Sequence, residues 1–164
     1  MDYNIVFERV EGRKGDEETL VENVLRFTRS GTDYLINGRL TYHDILGEDV
    51  THEVTTAYSA DGSSLFRLHP YTVQKSSLCE FYKTFYREYG QPWIKDHTDF
   101  PYIPEGGLCP LPKGSWYVKD MKLLNGTKVP LHAPRGLWKV EQKIERKGKV
   151  IGGLTIYARV SDLI

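Results

Sequence analysis

The sequence predicts a mainly β protein, a sandwich or open cup of about seven to eight antiparallel strands with one helix. Four alanines stand against twelve valines, twelve threonines and eleven tyrosines. Alanine is the best helix former, whereas β-branched and aromatic residues favour strands. Short segments that alternate apolar and polar residues are separated by turn signals along most of the chain. Only one segment has a helical period.

The predicted strands share a β-type composition or an apolar–polar alternation. They cover residues 4–10, 21–29, 34–43, 52–58, 65–68, 115–119, 138–145 and 150–160. The clearest is 138–145, in which every second residue is charged, as expected of a strand with one face in the core and one in water. Evenly spaced strands of this kind predict a sandwich or cup.

Residues of about 76–89 form the predicted helix, followed by an irregular crossover at 93–112. The apolar side chains of the helix recur at three- and four-residue spacing. They are Leu78, Phe81, Tyr82, Phe85 and Tyr89. Ser76 or Ser77 is the candidate cap at the start, and Gly90 followed by Pro92 is the candidate stop. This aromatic stripe either packs in the core or lines an apolar ligand pocket.

Length and charge limit the class of protein. The 164 residues suit one domain, 1–164. The 22 basic and 22 acidic residues balance, which argues against a nucleic-acid binder, because such proteins carry a net basic footprint. No apolar run approaches the roughly 20 residues that cross a bilayer. The first residues lack the features of a signal peptide, so a cytosolic protein and a secreted protein without its leader are both compatible.

Cys79 and Cys109 are the only cysteines, too few for a disulfide-dense scaffold or a four-cysteine zinc site. A bond between them would close a loop of about 30 residues and add roughly 3–4 kcal/mol of stability. The residues alone leave two alternatives open, a disulfide or two unpaired thiols.

Catalytic chemistry is not expected. Three histidines have a carboxylate beside them in sequence, in the pairs His43–Asp44, His52–Glu53 and His97–Asp99. A hydrolase would need such a pair to converge with a nucleophile, and surface polar pairs are the simpler interpretation. No nucleophile-elbow or zinc-protease motif is present. We therefore expect no enzyme activity, no cofactor and no metal site.

Three further features have specific interpretations. Gly152–Gly153 lies inside a predicted strand and indicates a bulge or the close approach of another group. In the basic tract 139–149, charged residues alternate with uncharged ones along a strand. This pattern favours a solvated face over contact with anionic lipid head groups. Asn125 begins the sequon Asn125–Gly126–Thr127 and is the candidate glycosylation site.

The residues around the cysteines resemble a known family. The matching pattern runs through Cys-Glu-Phe at 79–81, Leu-Cys-Pro-Leu at 108–111, Gly-x-x-Tyr at 114–117, Val-Pro at 129–130 and Pro-x-Gly-x-Trp at 134–138. Over roughly 65–160 it resembles a secreted insect family, formerly a domain of unknown function, that includes the CheB chemosensory proteins. That family is similar to the ganglioside-activator protein and, more distantly, to the ML lipid-recognition domains.

The resemblance implies a secreted, immunoglobulin-like or ML-type β-sandwich or β-cup that holds a lipid-like molecule between its sheets. It also implies a Cys79–Cys109 disulfide and a leader peptide that this chain lacks. The ganglioside activator carries several disulfides, whereas this chain has cysteines for one. No catalytic residue is carried over.

We therefore expect a non-enzymatic binder of a lipid or hydrocarbon, with a role in chemosensory (pheromone) perception. A receptor or a membrane surface is a further candidate partner. Affinity would come from about 0.8 kcal/mol per buried methylene. The candidate lining residues are Phe81, Phe85, Tyr89, Trp116, Trp138, Val140, Ile144, Leu154 and Ile156. The alternative is an extracellular interaction module with a solid core and no small ligand.

Overall fold

The computed structural model describes residues 3–63, 65–122 and 134–162, with only the backbone of Tyr3 and Tyr71, and its fold is mainly β. Each predicted strand is present. The strands are β1 (Tyr3–Gly12), β2 (Val21–Ser30), β3 (Asp33–Tyr42), β4 (Val50–Ser59), β5 (Arg67–Ser77), β6 (Gly114–Lys122), β7 (Gly136–Arg146) and β8 (Lys149–Asp162). The predicted fold class is confirmed.

One sheet contains all these strands, in the order β5-β4-β7-β8-β2-β3-β6, with β1 paired to β8. Neighbours are antiparallel except β2 and β8, which meet in a parallel bridge between Val21 and Gly152. This bridge divides the sheet into two parts. We call β5, β4, β7, β8 and β1 the first half, and β2, β3 and β6 the second half.

Contacts at both ends of the strands hold the two halves together. At one end, Val21 and Tyr42 of the second half share a buried cluster with Ile144 of the first. At the other end, the ring of Phe7 on β1 lies 5.3 Å from the ring of Phe27 on β2, measured between centroids. These contacts lie on one face of the sheet, which we call the inner face, and the mainly β fold is compatible with the predicted sandwich or cup.

Gly152 and Gly153 confirm the close approach that the sequence predicts. Their φ angles are 154° and 149°, a region that side chains rarely adopt. A Cβ atom on Gly152 would overlap the carbonyl oxygen of Val21, and one on Gly153 would overlap that of Gln142. The register of β7 and β8 shifts beside them, after Ile144. The two glycines let three strands meet where the halves join.

The helix is longer than predicted. It continues through four stretches, Leu78–Phe81 (α), Tyr82–Gly90 (π), Gln91–Ile94 (α) and Lys95–His97 (3-10). The predicted start is confirmed, because the Ser77 hydroxyl accepts a hydrogen bond from the Glu80 amide at 3.2 Å.

The predicted stop at Gly90 and Pro92 is wrong, and residues 93–97 are helical rather than irregular. Pro92 lies in the first turn of the Gln91–Ile94 stretch. A proline is tolerated in a first turn, because its missing N–H is not required there.

Strand β5 also differs from its prediction, since it runs over Arg67–Ser77 instead of 65–68. It lies at the edge of the sheet and pairs only with β4, with two register irregularities. Most of its side chains are exposed, so its sequence has no inward–outward alternation to detect. Pro70 lies within it, as edge strands allow.

Candidate ligand-binding site

Side chains that point between the two halves are buried at the strand ends and half-buried in the middle. On β7, Trp138 and Ile144 are 8% and 3% exposed, whereas Val140 and Gln142 between them are half-buried. Successive residues of a strand alternate between faces, so all four share the inner face.

Strand β8 repeats this pattern, with Gly152 and Val160 buried and the inner positions between them half-buried. On β4, His52 is buried, and the inner positions from Val54 to Tyr58 are half-buried.

The half-buried inner positions of these three strands lie side by side in the sheet. We call those between the row of Trp138 and the row of Ile144 the inner strip; its members are Val54, Thr56, Val140, Gln142, Leu154 and Ile156. Between its two buried ends on β7 the strip extends about 20 Å, at ~3.3 Å per residue. Its members are apolar except Thr56 and Gln142.

The second half shows the same pattern on its inner face. Ile36 and Tyr42 are buried near the two ends of β3, and Gly38 and Leu40 between them are half-buried. Leu25 on β2 and Val118 on β6 pair with Gly38 and are half-buried as well. Both layers are therefore tightly packed at their ends and loosely packed between them.

The buried core is split in the same way. The closed-end cluster comprises Leu20, Val21, Tyr42, Leu46, Val50, Leu78, Cys79, Tyr82, Ile103, Leu111, Trp116, Ile144 and Ile151. The Trp138 cluster comprises Trp138 and Val160, with Ile5 and Tyr58 packed against them. In the described part of the chain, no buried side chain connects the two clusters across the inner strip.

Aromatic rings and a tyrosine pair close one end of the sandwich. The hydroxyls of Tyr42 and Tyr82 hydrogen-bond to each other, and Phe100 stacks on Tyr82 with centroids 5.3 Å apart. Burial raises the pKa of Tyr42 well above its usual value and raises that of Tyr82. Burial also raises the pKa of Tyr86 to about 12. All three hydroxyls therefore stay protonated at neutral pH.

The disulfide Cys79–Cys109 fastens the crossover to the start of the helix, with a Cα–Cα distance of 5.7 Å. The Gln91 amide reinforces this link by accepting from the Ile103 amide at 2.7 Å and donating to its carbonyl at 3.1 Å. The carboxylate of Glu48 lies close to both sulfurs, but disulfide sulfurs are not thiolate ligands. The end of the sandwich beneath the helix is thus covalently closed.

The predicted lining residues fall into five environments. Val140, Leu154 and Ile156 are in the inner strip. Trp116 and Ile144 belong to the closed-end cluster, and Trp138 to the cluster at the other end. Phe81 is half-buried against the His52 ring, at 4.5 Å between centroids. Phe85 and Tyr89 are 58% and 63% exposed.

The helix buries only part of the aromatic stripe that the sequence predicts. Leu78, Tyr82 and Tyr86 pack toward the closed-end cluster, while the Phe85 and Tyr89 rings lie next to each other on the exposed side, with centroids 5.2 Å apart. The wider winding of the π stretch at Tyr82–Gly90 shifts the faces relative to those of an ideal α-helix.

His52 is the functional candidate that the sequence does not associate with the pocket. It is 1% exposed and lies on the same face of β4 as Val54 and Thr56, at the closed end of the inner strip. Its sequence neighbour Glu53 points to the opposite face, 3.6 Å from Lys143. The two side chains therefore do not converge. The alternation of β4 is the signal that places His52 inward.

The side chains of His97 and Asp99 form hydrogen bonds with main-chain atoms. The Nδ1 atom of His97 lies 3.0 Å from the Lys119 carbonyl, and Asp99 accepts from the Tyr117 amide at 2.8 Å. Both side chains thereby hold the crossover against β6. His43 lies 3.4 Å from Glu22, and its neighbour Asp44 instead pairs with Arg146 at 3.1 Å.

The basic tract 139–149 carries ion pairs on the outer surface. Lys149 pairs with Glu17 at 2.6 Å, Lys75 with Glu145, and Arg13 with Glu141 at 2.9 Å. These pairs hold opposite charges together along the outer face of the first half. Asn125, the predicted glycosylation site, lies outside the described residues.

A scan of the chain against models of known protein families finds no match, and a search of curated proteins finds no similar sequence. The family resemblance of the cysteine-flanking residues therefore stays a prediction. In the part of the chain that the structure describes, no helix has the length and apolar character needed to cross a bilayer.

Proposed function

We propose that this protein binds a lipid or hydrocarbon-like ligand between the two halves of its sheet, in contact with the inner strip. The supporting observation is that the inner faces are buried at both ends and half-buried in the middle. In a filled sandwich, inward side chains interdigitate at high density. Half-buried apolar side chains between two packed ends are instead what a ligand-lined space requires.

The size of the inner strip is adequate for useful affinity. Burying about ten methylenes would contribute roughly 8 kcal/mol at ~0.8 kcal/mol each. Part of this gain offsets the cost of immobilising the ligand. A long unbranched chain lying along the strip is therefore expected to bind more weakly than the roughly micromolar Kd that the full ~8 kcal/mol would give.

The disulfide fits an extracellular protein, because such bonds form and persist in oxidising compartments. We place the protein outside the cell as a secreted binder and, on the resemblance of its cysteine-flanking residues, in chemosensory (pheromone) perception. A receptor or a membrane surface would then receive the ligand. Glycosylation at Asn125 belongs to the same proposal.

Tryptophan fluorescence tests the proposed binding. Trp116 and Trp138 lie in the two clusters that border the inner strip, so a ligand between them should change their emission. The protein is delipidated and titrated with hexadecane, hexadecanol and palmitate. Trp93 is 38% exposed, so the variant Trp93→Phe removes a background signal. Saturable change with at least one compound is expected; no saturable change with any of them would refute the proposal.

The second candidate is an interaction module with a solid core. In it, packed side chains would fill the space over the inner strip and leave no room for a ligand. The exposed rings of Phe85 and Tyr89 favour it, because large exposed apolar side chains are typical of contact surfaces. It predicts no saturable binding of the three compounds and no tolerance of larger side chains in the inner strip.

A further inference from the structure

The inner face contains one polar pair whose hydrogen bonding is incomplete. The Nδ1 atom of His52 lies 3.4 Å from the side-chain nitrogen of Gln142. The Nε2 atom of His52 is buried and has no hydrogen-bond partner among the described residues. Buried polar atoms are nearly always paired, so an unpaired one calls for a physical explanation.

The position of the pair connects it to the proposed ligand. Gln142 is a member of the inner strip, and His52 borders the strip at its closed end, paired in the sheet with Ile144. The Phe81 ring covers the imidazole. Phe81 is half-buried and lies in the first turn of the helix, so its ring packs against the imidazole from the helix side.

The chemistry of the pair selects the kind of group that can complete it. Burial lowers the pKa of His52, which keeps the imidazole neutral at neutral pH. A neutral imidazole has one donor and one acceptor nitrogen. The Gln142 nitrogen can only donate, so Nδ1 accepts from it and Nε2 is the donor. A hydroxyl serves either role, whereas a carboxylate would place an unpaired charge among apolar side chains.

We propose that the ligand is a long-chain alcohol, with its hydroxyl at the closed end of the inner strip, accepting a hydrogen bond from His52 Nε2. This inference rests on the proposed function and deepens it. The hydrocarbon chain extends from the pair along Val140, Leu154 and Ile156 toward Trp138. Phe81 turns aside to admit the hydroxyl.

The test compares hexadecane, hexadecanol and palmitate, which have equal chain lengths, by displacement of an apolar fluorescent probe. Hexadecanol is expected to bind about 5- to 10-fold more tightly than hexadecane, as one net hydrogen bond allows. Gln142→Leu removes the donor that keeps the proton on Nε2 and should narrow the ratio of the two affinities; the ratio is the readout because this variant also changes the wall of the inner strip. His52→Phe, which replaces one ring by another, should do the same. Thr56→Val is the matched control on the same face and should keep the preference.

Each outcome separates this inference from the proposed function. Equal binding of hexadecane and hexadecanol by the wild-type protein, or a preference that survives His52→Phe, overturns the polar subsite but leaves the binding function standing. Tighter binding of palmitate than of hexadecanol overturns the assignment to a neutral hydroxyl. Failure of all three compounds to bind overturns the proposed function and this inference with it.

Discussion

Gly152 lies directly against the carbonyl of Val21, and the bridge between them is the one registered pair of β2 and β8 among the described residues. Because this bridge joins the two halves of the sheet, its geometry sets how the inner faces meet. The Asn23 side chain strengthens the joint by donating to the Gly153 carbonyl at 2.9 Å.

Gly152→Ala should therefore destabilise the protein by roughly 3 kcal/mol or more, since it adds a main-chain clash to an unfavourable φ. Gly148→Ala is the matched control. Its φ is 76°, but nothing lies within 4 Å of the position of its Cβ, so only the conformational cost of about 1 kcal/mol applies. Urea denaturation measures both variants. Equal losses would show that the contact with Val21 is unimportant.

The disulfide should contribute measurable stability. Replacing Cys79 and Cys109 together by serine is expected to lower the free energy of unfolding by roughly 3–4 kcal/mol, because the unfolded chain regains the freedom of the open loop. Denaturation of the oxidised wild-type protein, the reduced protein and the double variant gives this value. An unchanged midpoint after reduction would contradict a structural role for the bond.

The Tyr42–Tyr82 pair should show strong coupling. Tyr82→Phe leaves the buried Tyr42 hydroxyl without its partner and should cost about 1–3 kcal/mol. The double variant Tyr42→Phe/Tyr82→Phe removes both hydroxyls, so its loss should be smaller than the sum of the two single losses. Thermal or urea denaturation of the four proteins completes the cycle. Additive losses would argue against a mutual hydrogen bond.

Asp61 should make stability depend on acid pH. Its carboxylate accepts hydrogen bonds from the Ser63 amide and the Ser59 hydroxyl, both at 2.9 Å, and these lower its pKa from 3.8 to about 2. Because the folded value is the lower one, the stabilisation is complete above about pH 4 and is lost as the pH falls through about 2. The difference in urea midpoint between wild type and Asp61→Asn should shrink over that range. A constant difference would mean that Asp61 does not titrate in this way.

The strands could be predicted because most of them have two different faces. Trp138 to Ile144 alternate with charged residues, and the structure pairs that strand as expected. Strand β5 carries no such contrast, so its length was missed. The helix end was missed because Gly90 and Pro92 are stop signals when considered alone. The change from π to α winding at Gln91 places Pro92 in a first turn, where a proline is tolerated.

The candidate site could be predicted only in part, as the strands could. Alternation placed Val140, Leu154 and Ile156 on one inward face, where they lie side by side. It did not separate them from Ile144, because burial at the strand ends depends on how distant segments pack. His52 was outside the predicted set, since its pairing with Gln142 arises from the alignment of β4 and β7, which no local pattern specifies.

The most direct test of the central claim is the binding of hexadecane by the variant Val140→Trp, measured with its urea denaturation. A ligand space over the inner strip should accept the larger side chain with a stability change within about 1 kcal/mol and should lose hexadecane binding. Ile144→Trp, in the closed-end cluster of the same strand, is the control and should lose about 1–3 kcal/mol through overpacking. The account is contradicted if Val140→Trp destabilises as much as Ile144→Trp, or if it binds hexadecane as well as the wild-type protein does.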